Sequence, residues 1–149
     1  MSTDEQVQFD IQSATPADLS QTIALWTQAG LTRPWNDPAS DFRQAIRTPT
    51  SEIFIIRRNT EIIASVMVGY EGHRGWVYYL ATADAYRGQG LGQRLMQKCE
   101  AWLLAQNCPK LMLMVRTSNS AVIDYYEGLG YSRSDVVTME KWLRPKVTN

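Results

Sequence analysis

The most constraining feature of the sequence is a glycine-rich segment between an apolar run and a helical pattern. The apolar run ends near Ala83 and predicts a strand, and the helical pattern begins near Gly90. The segment between them reads Arg87-Gly88-Gln89-Gly90-Leu91-Gly92. Glycines permit left-handed backbone and leave N–H groups uncovered, and a helix N-terminus attracts anions. The segment, called the glycine loop below (residues 87–92), therefore predicts a pyrophosphate site beside the charge of Arg87.

Two common phosphate-binding motifs do not fit the glycine loop. A Walker loop ends in Gly-Lys-Ser/Thr, and this sequence has no such ending here. A dinucleotide fingerprint requires a further glycine where this chain has Gln93, and an acidic residue where the next predicted strand ends in Arg116. A third pattern, Gln/Arg-x-x-Gly-x-Gly/Ala, is satisfied by Arg87, Gly90 and Gly92. The alternative is a glycine-rich turn that only caps a helix.

Periodicity and chain breakers predict the element order β-α-α-β-β-β-α-β-α-β. The strongest helix start is Thr15-Pro16-Ala17-Asp18, and Gly30 ends that helix. The predicted strands lie near residues 9–11, 52–58, 61–70, 76–83, 111–115 and 136–143. The predicted helices lie near residues 16–29, 38–47, 90–106 and 121–129. This order predicts one α/β (α+β) domain over residues 1–149, with a core at about 9–143 between polar tails, a mixed sheet and helices on both faces.

Composition excludes several classes of protein. The hydrophobic content of 44% fits a folded domain, and no apolar run approaches the ~20 residues of a membrane span. The formal net charge of +0, with basic residues spread along the chain, argues against a dominant nucleic-acid surface. Cys99 and Cys108 have neither metal-ligand nor CxxC spacing. We therefore expect a cytoplasmic protein with free thiols, no metal, and no nucleic-acid or membrane partner.

A second motif lies further along the chain. Asn119 is followed seven residues later by Tyr126, and then by Glu127-Gly128-Leu129-Gly130-Tyr131. Together with the glycine loop and the strand order, this segment resembles the GNAT superfamily of N-acetyltransferases over residues 9–143. One departure is that Ala121 lies two residues after the asparagine, whereas the family usually has alanine at the third.

The resemblance implies a mostly antiparallel sheet whose fourth and fifth strands splay apart to admit acetyl-CoA. It implies that Tyr126 is the general acid that protonates the departing thiolate, although an aromatic residue packed between helix and sheet is the alternative. Tyr125 is expected to be a core residue. The residues that would bind acetyl-CoA by this resemblance are Leu80, Ala81, Thr82, Arg87, Gly88, Gln89, Gly90, Leu91, Gly92, Asn119 and Tyr126.

The general base and the acceptor site are less defined. Glu71, His73 and Asp37 are candidate bases, with a water chain as the alternative; Glu71 and His73 could equally serve only the turn that contains them. By the resemblance, residues 31–38 form the acceptor wall, where Trp35 could stack on the acceptor and Asp37 or Glu71 could attract its ammonium. A rigid loop with a buried tryptophan and a capping aspartate is the alternative. Together with residues 69–75, this segment resembles the YpeA-like acetyltransferases of bacteria, which implies no particular acceptor.

The predicted activity is therefore transfer of an acetyl group from acetyl-CoA directly to a primary amine of a small molecule or peptide. A protein N-terminal acetyltransferase of the ribosomal-protein type and a non-catalytic acyl-CoA sensor are alternatives. A toxin that acetylates aminoacyl-tRNA is disfavoured by the zero net charge. The apolar residues of segment 136–143 would permit a homodimer, or they could simply be core.

Overall fold

The computed structural model describes residues 9–148, so the predicted N-terminal tail lies outside the described part. Within it, an open sheet is flanked by helices. The strands are β1 (Ile11–Ser13), β2 (Ser51–Arg58), β3 (Glu61–Tyr70), β4 (Gly75–Thr82) and β5 (Leu111–Leu113). The helices are α1 (Leu19–Gln28), α2 (Pro38–Arg47), α3 (Leu91–Leu104) and α4 (Ser120–Gly128). None of these helices is both long and apolar enough to cross a bilayer.

The strands follow one another across the sheet in chain order, β1-β2-β3-β4-β5. The first four pair antiparallel, whereas β4 and β5 pair parallel. The parallel pairing joins only Gly75–Val77 to Leu111–Leu113. Beyond Val77, β4 continues to Thr82 while β5 ends, so the sheet opens along the edge of β4. This mixed, mostly antiparallel sheet, with its opening between the fourth and fifth strands, is the predicted fold.

Both faces of the sheet are covered, which explains why its central strands are mostly apolar on both faces. Ile53 and Ile55 of β2 pack with α1 and α2, in a cluster that contains Trp26 and Phe42. The alternate residues of the same strand point to the other face and pack with α3. Four consecutive residues of β2, at positions 53–56, are buried as a result. The prediction of helices on both faces is confirmed.

The predicted start of the first helix is also present. Thr15 and Asp18 form a capping box around a short 3-10 turn at Pro16–Asp18, which leads directly into α1. Asp37 caps α2, because its side chain accepts a hydrogen bond from the backbone N–H of Ser40 at 3.1 Å. These local contacts fix where the two helices start.

The predicted last strand, residues 136–143, is wrong. That segment has no helix or strand, and Val137, Met139 and Leu143 are 81%, 88% and 91% exposed. An apolar alternating pattern does not suffice for a strand, since its backbone groups need a neighbouring strand to bond to. Residues 132–148 are exposed instead.

Candidate active site

The glycine loop connects β4 to α3 through a 3-10 turn at Asp84–Tyr86. Gly88 and Gly90 have φ angles of +80° and +78°, in the left-handed region that favours glycine. Gly90 is the N-cap of α3 and supplies no side-chain cap. The first backbone bond of the helix runs from the N–H of Arg94 to Gly90, so the N–H groups of the first turn are left for an external acceptor.

Two side chains border this turn. A Cβ atom on Gly92 would clash with the hydroxyl of Tyr125, so the loop tolerates no side chain there without a shift of the tyrosine. Arg87 pairs with Asp84 at 3.2 Å, and both side chains are about two-thirds exposed, at 63% and 66%. An exposed pair of this kind is weak, so Arg87 is able to turn toward an anion in the loop. The free N–H groups, the glycines and Arg87 fit a pyrophosphate.

The open part of β4 contains a β-bulge. Tyr78 is opposite Met67 and Ala81 is opposite Ser65, so Tyr79 and Leu80 together face Val66 alone. Tyr79 has a φ of +56°, a left-handed conformation that costs a bulky residue free energy. A bulge of this type bends the strand and frees backbone groups from the ladder. The β4–β5 pairing ends at Val77, so the bulge lies in the part of β4 whose other edge is open.

The left-handed conformation of Tyr79 is held by contacts from both α1 and α2. Its ring stacks on Trp26, with centroids 3.9 Å apart and planes 7° from parallel. Its hydroxyl donates to Asp41 Oδ2 at 2.7 Å, and the indole N–H of Trp26 donates to Ser65 at 2.9 Å. Burial, together with the carboxylates of Asp41 and Asp37, raises the pKa of Tyr79 well above its usual value. These residues, called the bulge clamp below (Trp26, Asp41, Ser65 and Tyr79), fix the bulge against the helices.

Sequence analysis missed the bulge clamp as a feature of the site. Nothing local indicates a left-handed tyrosine in the middle of an apolar strand, because that conformation is favoured by glycine and asparagine. Two of its hydrogen bonds join residues 38 and 39 positions apart in the chain. A constraint of that range becomes visible only when the helices lie on the sheet.

Asn119 caps α4 through a 3.4 Å bond from the N–H of Val122, as predicted. Tyr126 on that helix packs against the α3 core, 5.9 Å edge-to-face from the ring of Tyr131. Burial, together with nearby Tyr125 and Cys99, raises the pKa of Tyr126. Its hydroxyl forms no hydrogen bond within residues 9–148. The hydroxyl oxygen is not fully buried, so it reaches solvent. A tyrosine in this state keeps its proton at neutral pH and has it free to donate.

Tyr125 is not the core residue that we expected. Its side chain is 42% exposed, and its hydroxyl lies directly over Gly92 at the start of α3. Leu80 of the bulge lies on the same side, 3.9 Å from where a Gly92 Cβ would be. The motif therefore presents two neighbouring hydroxyls, one over the glycine loop and one beside the core of α3.

Glu71 and His73 lie at the other end of β4. They belong to the β3–β4 turn before Gly75, whereas the bulge and the glycine loop follow Val77. The Glu71 carboxylate accepts hydrogen bonds from the backbone N–H groups of Arg74 and His73, and these bonds lower its pKa. The structure thus uses Glu71 to close its own turn, and it brings neither residue to the glycine loop.

The loop between α1 and α2, residues 29–37, borders the open part of β4. Leu31 packs in the same cluster as Ala81 and Tyr79, and Asp37 is close enough to influence the titration of Tyr79. Trp35 in this loop is half-buried and contacts Lys146 from the C-terminal segment. Of the predicted acceptor residues, Asp37 is therefore near the bulge, Trp35 belongs to the same loop, and Glu71 lies at the other end of β4.

The sequence profile of the Acetyltransferase (GNAT) family matches residues 19–131. The chain belongs to this family. An acetyltransferase of Pectobacterium atrosepticum is 42% identical over 126 residues, which are 85% of this chain and 89% of that protein. The GNAT profile spans α1 to Tyr131 and so includes the bulge clamp, the glycine loop and both tyrosines.

Solved structures share the GNAT fold at low identity. Glucosamine-6-phosphate N-acetyltransferase from Arabidopsis thaliana has a TM-score of 0.71 at 21% identity, over 92% of this chain and 99% of that one. An aminoglycoside N-acetyltransferase in complex with CoA has a TM-score of 0.78 at 14% identity, over 92% and 96%. At these identities the likeness shows the fold. Within residues 9–148, no group of three or more His, Cys, Asp or Glu side chains could hold a metal ion.

Proposed function

We propose that this GNAT protein is an acetyl-CoA-dependent N-acetyltransferase that moves the acetyl group directly to a primary amine of a small molecule or peptide. The observation that carries the proposal is the continuous path from the bulge of β4 to the uncapped N-terminus of α3. The open edge of Leu80, Ala81 and Thr82 would bond the pantetheine amides, and the glycine loop would bind the pyrophosphate. The CoA complex of a structural neighbour supports this choice of donor.

Each step of the transfer has a group to perform it. Acetyl-CoA supplies a thioester; the amine nitrogen bonds to the carbonyl carbon, and the carbon–sulfur bond breaks. A backbone N–H freed at Tyr79–Leu80 would stabilise the negative carbonyl oxygen, a contribution often worth about 2.7–4 kcal/mol. Tyr126 would give its proton to the departing thiolate. The proton lost by the amine would pass to Asp37 or through water.

Asp37 is the best placed of the three candidate bases, because it caps α2 one turn before Asp41, which accepts the hydrogen bond from Tyr79 at the bulge. Glu71 and His73 lie at the far end of β4. Asp37→Asn keeps an oxygen to cap α2 but removes the basic group. It should lower kcat by about 10²–10⁴, the range for a lost general base, whereas Glu71→Gln should change kcat less than about twofold. Equal, small effects in both variants would mean that the proton lost by the amine passes to water.

The cellular compartment that we propose is the cytoplasm. Cys99 and Cys108 are both free and buried, which fits a reducing compartment such as the cytoplasm.

A homodimer that covers segment 136–143 would bury the exposed apolar side chains of that segment. Light scattering at increasing protein concentration would detect such a dimer.

The test of the proposed activity is release of free thiol from acetyl-CoA with two panels of acceptors, one of small amines and one of peptides. Turnover with small amines supports the leading proposal, and turnover with peptide α-amines alone supports the N-terminal acetyltransferase. Tight binding of acetyl-CoA without thiol release from any acceptor would instead identify a sensor, and the enzymatic proposal would fail.

A further inference from the structure

The C-terminal segment, residues 132–148, returns to the loop between α1 and α2. The Lys146 ammonium lies 4.0 Å from the ring centre of Trp35 and 5.8 Å from that of Trp142. Within residues 9–148, Lys146 is in no ion pair and no side-chain hydrogen bond. Its charge is therefore held by the faces of two indole rings, an arrangement called the indole pair below (Trp35 and Trp142).

One ring of the indole pair belongs to the loop that borders the open part of β4. Leu31 of that loop packs in the same cluster as Ala81 and Tyr79 of β4. The next helix, α2, begins two residues after Asn36 and carries Asp41, which accepts the hydrogen bond from Tyr79 at the bulge. Trp35 thus lies in the segment between Leu31 and α2, which both pack against β4 near the bulge.

The chemistry of the indole pair determines what it can hold. The face of an indole ring attracts a positive charge, and such a contact is worth about 0.5–1 kcal/mol when it is exposed to solvent. By stabilising the charged form, it raises the pKa of a bound amine and opposes loss of its proton. The amine that attacks a thioester must be neutral. The indole pair therefore suits a cation that keeps its charge during the reaction better than it suits the amine that reacts.

We propose that the indole pair is a subsite for a second cationic group of the acceptor, and that Lys146 fills this subsite until the acceptor displaces it. The inference rests on the proposed acetyl transfer and narrows its acceptor to amines that carry at least one further ammonium group. Within residues 9–148, the Lys146 ammonium is held only by two partly exposed rings, so this contact is weak enough to be displaced.

The test compares α,ω-diaminoalkanes of increasing length with monoamines of the same length. In the native full-length chain, one diamine should have a markedly lower KM than its matched monoamine. Lys146→Met keeps the stem but removes the competing charge, so it should lower the KM for that diamine about two- to fivefold. Trp35→Leu should raise the ratio of diamine to monoamine KM by a similar factor. Lys141→Met, a lysine of the same exposed segment, is the matched control and should leave this ratio unchanged.

A direct readout separates this inference from the proposed activity. The indole N–H signals of Trp35 and Trp142, assigned by Phe variants in an NMR spectrum, should shift with the diamine and not with the monoamine in the absence of acetyl-CoA. Shifted indole signals without thiol release from any amine would contradict the proposed activity and support the cation subsite. Thiol release with equal KM values for both amines, and with unmoved indole signals, would overturn the subsite.

Discussion

A Gly90→Glu variant is expected to bind acetyl-CoA at least about 100-fold more weakly than the native chain. Gly90 has a φ of +78° and is the N-cap of α3, directly beside the free N–H groups of the first turn. Glutamate would strain that backbone and place a negative charge where the pyrophosphate should bind. Loss of two charge-assisted hydrogen bonds at about 1.5 kcal/mol each corresponds to more than a 100-fold loss in affinity. Calorimetric titration with acetyl-CoA measures the change.

The matched control for this variant is Gly30→Glu. Gly30 has nearly the same φ, +75°, and a Cβ there would likewise meet no atom within 4 Å. Gly30 lies just after α1, whereas Gly90 lies between β4 and α3. The control therefore imposes similar backbone strain and the same charge away from the glycine loop. The control should bind acetyl-CoA as tightly as the native chain. Equal losses in both variants would mean that strain, and not the pyrophosphate site, causes the effect.

Tyr126→Phe is expected to lower kcat by about 10²–10⁴, the range found for loss of a general acid. Phenylalanine keeps the ring that packs against Tyr131 and α3, so the fold and the affinity for acetyl-CoA should stay as they are. The loss should therefore be confined to the step in which the thiolate departs. Steady-state thiol release, together with calorimetry on the same variant, separates kcat from binding.

Tyr125→Phe is the matched comparison, since it removes a hydroxyl from the neighbouring position of the same helix. The hydroxyl of Tyr125 lies over Gly92, so its removal should weaken acetyl-CoA binding about two- to tenfold, as expected for one hydrogen bond, with kcat within a fewfold of native. The opposite pattern would assign the general acid to Tyr125. Full turnover in both variants would show that the thiolate leaves without a tyrosine proton.

Local sequence determined most of the elements and the position of the glycine loop. The breakers Pro16 and Gly30, the cap Asn119 and the alternating faces of residues 53–56 act within a few positions of one another. The left-handed glycines of the glycine loop are also determined locally, because the preference for a positive φ is a property of glycine itself. These signals predicted the sheet and its helices, and the motifs they frame identified the family.

Only the tertiary structure decided which side chains meet. The left-handed Tyr79 depends on Trp26 and Asp41, and the contact of Lys146 with Trp35 spans most of the chain. The same is true of the predicted last strand, residues 136–143. Its alternating apolar pattern is present, but within residues 9–148 the segment pairs with no strand. Helix capping and hydrophobic periodicity depend on interactions between residues close in sequence. The bulge clamp, strand pairing and the cation site arise only when distant segments are brought together.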